Sequence, residues 1–472
     1  MSSISDPIVI PGFPDNFKWG AATAAYQIEG GASSGGRGPS VWDMLCRQPG
    51  RVFEGHSGEI TCDHFGRWKE DVALMKEIGL NSYRFSVAWP RVIPDGDGAV
   101  NPGGLSFYDK LVDGLLEAGI EPCVTLFHWD FPYALYLRGG WLNPGSPAWF
   151  ARYARTVVDA LSDRVTSWMI FNEPQCFVGN GHQDGSHAPG DKLGWREVGV
   201  VAHNVLLAHG RACTVIREHA KRRPTVGFVM ASWPRVPADE SPANVEAARK
   251  ETFIMHAPSV WSSAWWLDPV VFGRYPEDGL RLYGADAPAF TDADMREINV
   301  PLDFIGLNIY SGGPVRAGEG GKTVAVPLPV GGPSTLFHWK LVPESLYWGP
   351  KFFHERYKLP IWIAENGMSG HDWVSIDGRV HDPQRIDYLT RYLVELRRAS
   401  RDGVPVGGYF VWSLLDNFEW AEGFKQRFGI VHVDYATGRR TLKDSASWYG
   451  RTIRANGTNL PELPPAESAK AV

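Results

Sequence analysis

The chain has 472 residues, a net charge of −6 and 44% hydrophobic residues, enough to bury a large core. Its charge is spread evenly, leaving neither a basic stripe for nucleic acid nor a long acidic tail. No stretch is apolar for long enough to span a bilayer. The start, Met1-Ser2-Ser3-Ile4-Ser5-Asp6-Pro7, has neither the positive charge nor the apolar run of a secretory signal, so a cytoplasmic protein is expected. Five cysteines, Cys46, Cys62, Cys123, Cys176 and Cys213, are odd in number and contain no Cys-x-x-Cys pair, which reads as reduced thiols.

In chain order, short β-prone runs occur at residues 19–25, 82–86, 122–127, 168–172, 225–230, 304–308, 361–365 and 408–413. Between several of them lie patterns with apolar residues three and four apart, at 68–78, 108–118, 147–161, 199–219 and 382–400, which predict amphipathic helices. Strand and helix alternating eight times predict an α/β chain folded as a single (β/α)8 barrel with parallel strands. The intervals 231–302 and 311–350 are too long for one crossover helix, and are expected to be loops or small excursions on the catalytic face. One barrel domain is expected over 1–455. Residues 456–472, rich in Pro, Ala and Ser, are expected to form a loosely ordered tail. Asn456-Gly457-Thr458 reads as a turn.

Two of the runs end on a glutamate. Glu173 closes Trp168-Met169-Ile170-Phe171-Asn172 and precedes Pro174, which biases its backbone toward extended geometry. Glu365 closes Ile361-Trp362-Ile363-Ala364 and is followed by the turn pair Asn366-Gly367. An apolar strand has no reason to finish on a charge unless that charge is used or paired. The carboxyl ends of barrel strands form the face where barrel enzymes do their chemistry. Arg84, inside Ser82-Tyr83-Arg84-Phe85-Ser86, would be a buried cation needing an anion, and Glu365 is the natural partner, kept ionised by it. Two such carboxyls suggest an acid and a nucleophile acting on one bond.

Other strand ends carry Gln27, His128-Trp129-Asp130, Asn308, Tyr310 and Trp412. Together these would ring one barrel mouth with the amides, imidazole and indoles that hydroxyl recognition requires. Many of the 20 tryptophans stand beside polar loop residues, as suits flat contact with sugar rings, whereas Trp68, Trp149 and Trp448 fall on helical patterns and read as packing. No metal is expected: there is no His-Glu-x-x-His, and His203 and His209 lie on different faces of one helix. Nucleotide loops and Gly-x-Ser-x-Gly are also absent.

These segments, taken together, closely resemble glycoside hydrolase family 1, the β-glucosidase family. The resemblance covers nearly the whole chain. It rests on Phe17-Lys18-Trp19-Gly20-Ala21-Ala22-Thr23-Ala24-Ala25-Tyr26-Gln27-Ile28-Glu29-Gly30, Tyr83-Arg84-Phe85-Ser86, Phe127-His128-Trp129-Asp130, Phe171-Asn172-Glu173-Pro174, Glu365-Asn366-Gly367 and Trp412-Ser413-Leu414-Leu415-Asp416-Asn417-Phe418-Glu419-Trp420, in that order. It implies Glu173 as acid/base and Glu365 as nucleophile, supported by Arg84, Tyr310 and Asn308. It further implies Asn172 on the sugar 2-hydroxyl, Gln27, His128, Trp129, Glu419, Trp420 and Phe428 as glycone contacts, Trp412 as the stacking platform, and a cis peptide after Trp412. Trp339 and Phe177 are expected at the aglycone entrance, with Phe337 and Trp233 as further stacking surfaces.

Departures from the family pattern avoid the chemistry: Ala364 stands where Thr is usual, Phe131 where Leu is, and Tyr133 where Gln often is. Glutamate at 173 argues against the thioglucosidase branch, and Glu419, Gln426 and Phe428 argue against the phosphoglycosidase branch. The resemblance therefore implies a retaining β-glucosidase with galactosidase and fucosidase side activity, no cofactor, a small β-glycoside as its partner, and carboxyls about 5–5.5 Å apart. A transglycosidase keeps the same covalent intermediate and remains open. A sugar-binding protein without catalysis would be expected to lack one of the glutamates.

Overall fold

The computed structural model describes residues 12–462. Eight strands close into a barrel: β1 (Lys18–Ala22), β2 (Ser82–Ser86), β3 (Glu121–Phe127), β4 (Ser167–Asn172), β5 (Thr225–Ala231), β6 (Phe304–Asn308), β7 (Ile361–Asn366) and β8 (Val406–Trp412). Each pairs in parallel with its sequence neighbours, and β1 pairs with β8 to complete the ring. The crossovers carry α1 (His64–Ile78), α2 (Pro102–Glu117), α3 (Ser146–Leu161), α4 (Trp195–His219), α5 (Asp292–Ile298), α6 (Ser345–Tyr357) and α7 (Pro383–Arg401), and α8 (Asp444–Arg454) follows β8. The expected (β/α)8 barrel is the fold.

Both faces of these strands are covered, which is why they read as near-continuous apolar runs. On β7, Ile361 and Ile363 pack in the layer beneath the helices. Trp362 and Ala364 point into the barrel with Cys123, Met169, Val229, Phe304 and Phe410. Phe304 and Trp362 stack there with ring centroids 3.9 Å apart. The barrel interior is thus a packed plug, and the open space lies above it at the carboxyl ends of the strands.

Several helices start earlier than apolar periodicity predicts, and for α2 a cap sets the start. Asn101 accepts from the Gly103 amide and Pro102 fills the first turn, so α2 begins before the apolar stripe does. Of the loops or small excursions expected over 231–302, the structure shows excursions built largely from short helices. The interval holds helices Pro242–Phe253, Ser263–Phe272 and Glu277–Tyr283 ahead of α5, with Pro269 and Pro276 breaking the long-range period. In the 311–350 interval, Gly313–Ala317 and Thr323–Ala325 join Arg235–Pro237 in a small three-stranded sheet.

Residues 456–462 do not leave the barrel as the expected tail would. Arg397 on α7 donates to the carbonyls of Gly457 (2.9 Å), Leu460 (3.0 Å) and Pro461 (2.7 Å), and the Trp19 indole donates to Asn456 Oδ1 (2.9 Å). A buried guanidinium needs such acceptors, and these residues supply them. Residues 463–472 lie outside the described part. Among the described residues no helix is long and apolar enough to cross a membrane.

Candidate active site

β2, β4, β6 and β7 deliver Arg84, Asn172, Asn308 and Glu365 to one level of the barrel mouth, because the parallel register pairs Asn308 with Glu365 across β6 and β7. The register slips just before both glutamates. On β7 it shifts between Ile363 and Glu365 relative to β6, and on β4 between Met169 and Asn172 relative to β5. Irregularities of this kind re-aim a side chain, and here they turn Glu365 inward directly after the inward-pointing Ala364. Gly367 is obligatory in that turn, since a Cβ there would stand 1.8 Å from the Trp412 carbonyl oxygen.

Arg84 is buried to 1% exposure and occupies the centre. Its guanidinium donates to Glu365 Oε1 (2.6 Å), the Ala364 carbonyl (3.0 Å), Asn172 Oδ1 (2.6 Å) and Thr125 Oγ1 (3.2 Å). Tyr310 donates to the other oxygen of Glu365 at 2.7 Å. Asn308 Nδ2 donates both to Glu173 Oε1 (2.8 Å) and to Asn172 Oδ1 (3.0 Å). The Trp129 indole fixes the Asn172 carbonyl at 2.8 Å, and Asn172 Nδ2 donates to His128 Nε2 at 3.1 Å. Burial and the nearby Arg84 charge hold His128 well below the ordinary imidazole range, so it is neutral and accepts through that nitrogen.

The two glutamates are chemically unequal. Burial, and then the Glu365 charge, push Glu173 up to about 7. Burial raises Glu365 as well, but Arg84 and Tyr310 pull it back, so the shared proton belongs on Glu173. Glu173 takes a left-handed backbone, φ 45° and ψ 69°, not the extended geometry expected before proline. Trp129 (φ 78°) and Trp420 (φ 52°) are left-handed too. Three such non-glycine residues at one mouth are a signature of functional strain.

Around them lies a cavity of about 520 Å³ lined by His128, Trp129, Tyr310, Trp412, Glu419, Trp420 and Phe428, with Glu173 and Glu365 at its floor. Gln27 donates to the Phe418 carbonyl (2.9 Å) and to Glu419 Oε2 (3.4 Å). Burial, and then the Glu365 and Glu173 charges at the cavity floor, push Glu419 up to about 8. The Trp412–Ser413 peptide is cis, as the resemblance implies. A second cleft, of about 770 Å³, shares no residue with this mouth. Part of its charged lining pairs internally, Arg356 with Asp268 and Arg249 with Glu355.

The sequence matches the Glycosyl hydrolase family 1 profile over residues 10–458. The chain belongs to glycosyl hydrolase family 1. Relatives include "Beta-glucosidase A" of Thermotoga maritima, 44% identical over 94% of this chain and 98% of that protein. Another is the "1,4-beta-D-glucan glucohydrolase" of Thermotoga neapolitana, 43% identical over 94% of this chain and 99% of that one. Among solved structures, the Thermotoga maritima β-glucosidase in complex with glucoimidazole superposes with a TM-score of 0.86 at 44% identity, covering 94% of this chain and 99% of that chain.

In this family 1 enzyme, Trp339, Phe337 and Trp233 line the outer part of the cavity. Phe337 and Trp339 stack with centroids 4.6 Å apart, and Trp233 meets Trp339 edge-on at 6.2 Å. Phe177 is a correction. Its ring packs against Phe127, Trp141 and Phe171 behind the site and does not line the cavity, because the short helix Pro174–Val178 turns it back toward β3, β4 and the turn at Trp141. The same helix turns Cys176 forward, its thiol donating to Glu173 Oε2 at 3.3 Å. Sequence reasoning missed Cys176, though its place three residues after Glu173 is one helical turn on. It also missed Thr125, visible only through Arg84, and Trp261, hidden in an interval whose fold had no readable period.

Proposed function

We propose that this family 1 enzyme is a retaining β-glucosidase that releases terminal β-D-glucosyl residues from aryl and alkyl β-glucosides and cello-oligosaccharides. Glu365 attacks the anomeric carbon while Glu173 passes its proton to the departing glycosidic oxygen, leaving the sugar as an ester on Glu365. Glu173, now ionised, takes a proton from water, whose oxygen displaces Glu365 and frees the sugar. Asn172 holds the 2-hydroxyl, in a contact that strengthens as positive charge develops at the anomeric carbon. His128, Gln27, Glu419 and Trp420 bind the remaining glycone hydroxyls, with Trp129 and Phe428 completing the wall and Trp412 beneath the ring. Glu419 accepts from several hydroxyl arrangements, which extends the proposal to galactosides and fucosides as side substrates.

The observation that carries this reading is the asymmetry of two glutamates in one environment. One is pushed up to about 7 by burial and its neighbour's charge, as an acid working near neutrality needs. The other is gripped by Arg84 and Tyr310, as a nucleophile needs. The names of its relatives support glucose as the glycone. All five cysteines are free thiols, which supports a cytoplasmic location.

The test is azide rescue with an activated aryl β-D-glucoside. Glu365→Ala is expected to yield the α-glucosyl azide and Glu173→Ala the β-anomer. If azide rescues neither variant, or the anomers are exchanged, the roles are wrong.

A further inference from the structure

Tyr310 reaches Glu365 with its hydroxyl, but the structure holds it by its backbone. The Tyr310 carbonyl oxygen accepts two hydrogen bonds, from the hydroxyls of Tyr388 (2.9 Å) and Tyr392 (3.0 Å). Both donors sit on α7, one turn apart, and both are fully buried. Their rings stack with centroids 4.1 Å apart and planes 19° apart, which aims the two hydroxyls at one point. A carbonyl oxygen has two lone pairs, and here a tyrosine donates to each, so rotating the peptide after Tyr310 would break two buried hydrogen bonds.

Each hydroxyl also accepts. Tyr388 takes a hydrogen bond from Asn366 Nδ2 (3.1 Å), and Tyr392 takes one from the Val342 amide (3.0 Å). Asn366 is the residue after Glu365. Its Nδ2 also donates to the Ile309 carbonyl (2.7 Å), and its Oδ1 accepts from Tyr409 (2.7 Å). The same pair of tyrosines therefore touches the main chain of Tyr310 and the neighbour of Glu365, the two ends of the 2.7 Å contact at the nucleophile. Buried tyrosine hydroxyls usually find partners. What is specific here is that two of them converge on one carbonyl beside the reacting group, with each hydroxyl hydrogen committed to it.

We propose that Tyr388 and Tyr392 are positioning residues for the reaction, a paired clamp on α7 that holds Tyr310 at hydrogen-bonding distance from Glu365. The proposal rests on Glu365 being the nucleophile. Because Val342 belongs to the segment that carries Phe337 and Trp339, Tyr392 also ties the outer cavity wall to the same point.

The test is a double-mutant cycle between the clamp and its target, measured as kcat/KM on an aryl β-D-glucoside. Tyr388→Phe and Tyr392→Phe keep the stacked rings and remove one donor each, and each is expected to lower kcat/KM by about threefold to tenfold. Made together in a Tyr310→Phe background, they are expected to change kcat/KM by less than about twofold, because the contact they support is already gone. Removing both hydroxyls in the wild-type background should also move the acid limb of kcat/KM upward. Glu365 faces Arg84 from β2, Tyr310 beyond β6, Glu173 from β4 and Glu419 beyond β8, and only the Tyr310 donation weakens. Full additivity with Tyr310→Phe, or a lowered melting temperature with kcat/KM and acid limb unchanged, would overturn the proposal. Azide rescue of Glu365→Ala is unaffected by the clamp, so failure of the nucleophile assignment would be seen there and nowhere in the cycle.

Discussion

Asn308 Nδ2 donates to both Glu173 at 2.8 Å and Asn172 at 3.0 Å, joining the carboxyl proposed as acid/base to the amide proposed for the 2-hydroxyl. A donor to a carboxylate favours its ionised form. Asn308 therefore opposes the burial and the Glu365 charge that push Glu173 up to about 7. Since the acid must be protonated, kcat/KM falls as pH rises through that value. Asn308→Ala removes the donor, so the alkaline limb should move to higher pH by roughly half to one pH unit, the equivalent of one hydrogen bond of ~1 kcal/mol. A pH profile of kcat/KM on an aryl glucoside measures this, and a limb displaced to lower pH would contradict the assigned contact.

Much of this site could be read in the sequence because barrels place function at predictable points. An apolar run that ends on Glu, Asn, His or Trp marks a strand end at the catalytic face, and Arg84 inside a strand demanded an anion. The less legible part depended on contacts distant in sequence. The three-residue spacing from Glu173 points to Cys176 only once Pro174–Val178 is known to be helical, and the start and length of that five-residue helix decide that Cys176 and not Phe177 turns toward the cavity. Tyr388 and Tyr392 fit an amphipathic helix, and only the folded chain brings their hydroxyls to the Tyr310 carbonyl. The 231–302 interval stayed unreadable because its helices are short and interrupted by proline.

Arg84 offers a second prediction. Its guanidinium is buried and bonded to four groups, so Arg84→Met leaves Glu365 buried without a counter-charge. Breaking such a pair costs about 3–5 kcal/mol of stability, readable by urea unfolding. The same loss raises the pH at which Glu365 ionises, so the acid limb of kcat/KM should move upward. Arg84→Lys should restore little, because a single ammonium cannot reach Thr125, Asn172, Ala364 and Glu365 in the planar arrangement of a guanidinium. Full recovery by lysine would show that only net charge matters at this position.

Asp130 predicts how stability responds to pH. It is fully buried, neither carboxyl oxygen has a hydrogen-bond partner, and burial pushes it up to about 8, with Arg37 pulling against Glu29 and Asp43. A carboxyl raised on folding binds its proton more tightly in the native state, so its contribution is present at low pH and is lost as pH rises through the native value. Glu173 and Glu419 act in the same direction. The enzyme should therefore melt at a lower temperature at pH 9 than at pH 6. Asp130→Asn, which cannot ionise, should narrow that difference by gaining on wild type at pH 9. An equal loss at both pH values would mean that shape and not charge governs the position.

The outer cavity supports the last prediction. Trp233 and Trp261 both line it while remaining 47% and 48% exposed. Single exposed aromatics are ordinary on protein surfaces. Here, though, Trp233 also meets Trp339 edge-on, so the two form part of one aromatic rim above the glutamates. Flat rings on the exposed rim of the cavity are placed to touch the part of a substrate that extends beyond the reacting bond. Trp233→Ala and Trp261→Ala should therefore raise KM for cellotriose or longer oligosaccharides by about twofold to tenfold, the range of one aromatic contact of ~0.5–1.5 kcal/mol. Methyl β-D-glucoside, which ends before the rim, should be hydrolysed with unchanged kcat and KM. Because both side chains are half exposed, melting temperatures should stay near wild type, which separates lost binding from lost folding. Equal losses on the methyl glucoside and the oligosaccharide would assign these tryptophans to shaping the site as a whole and not to holding the leaving group.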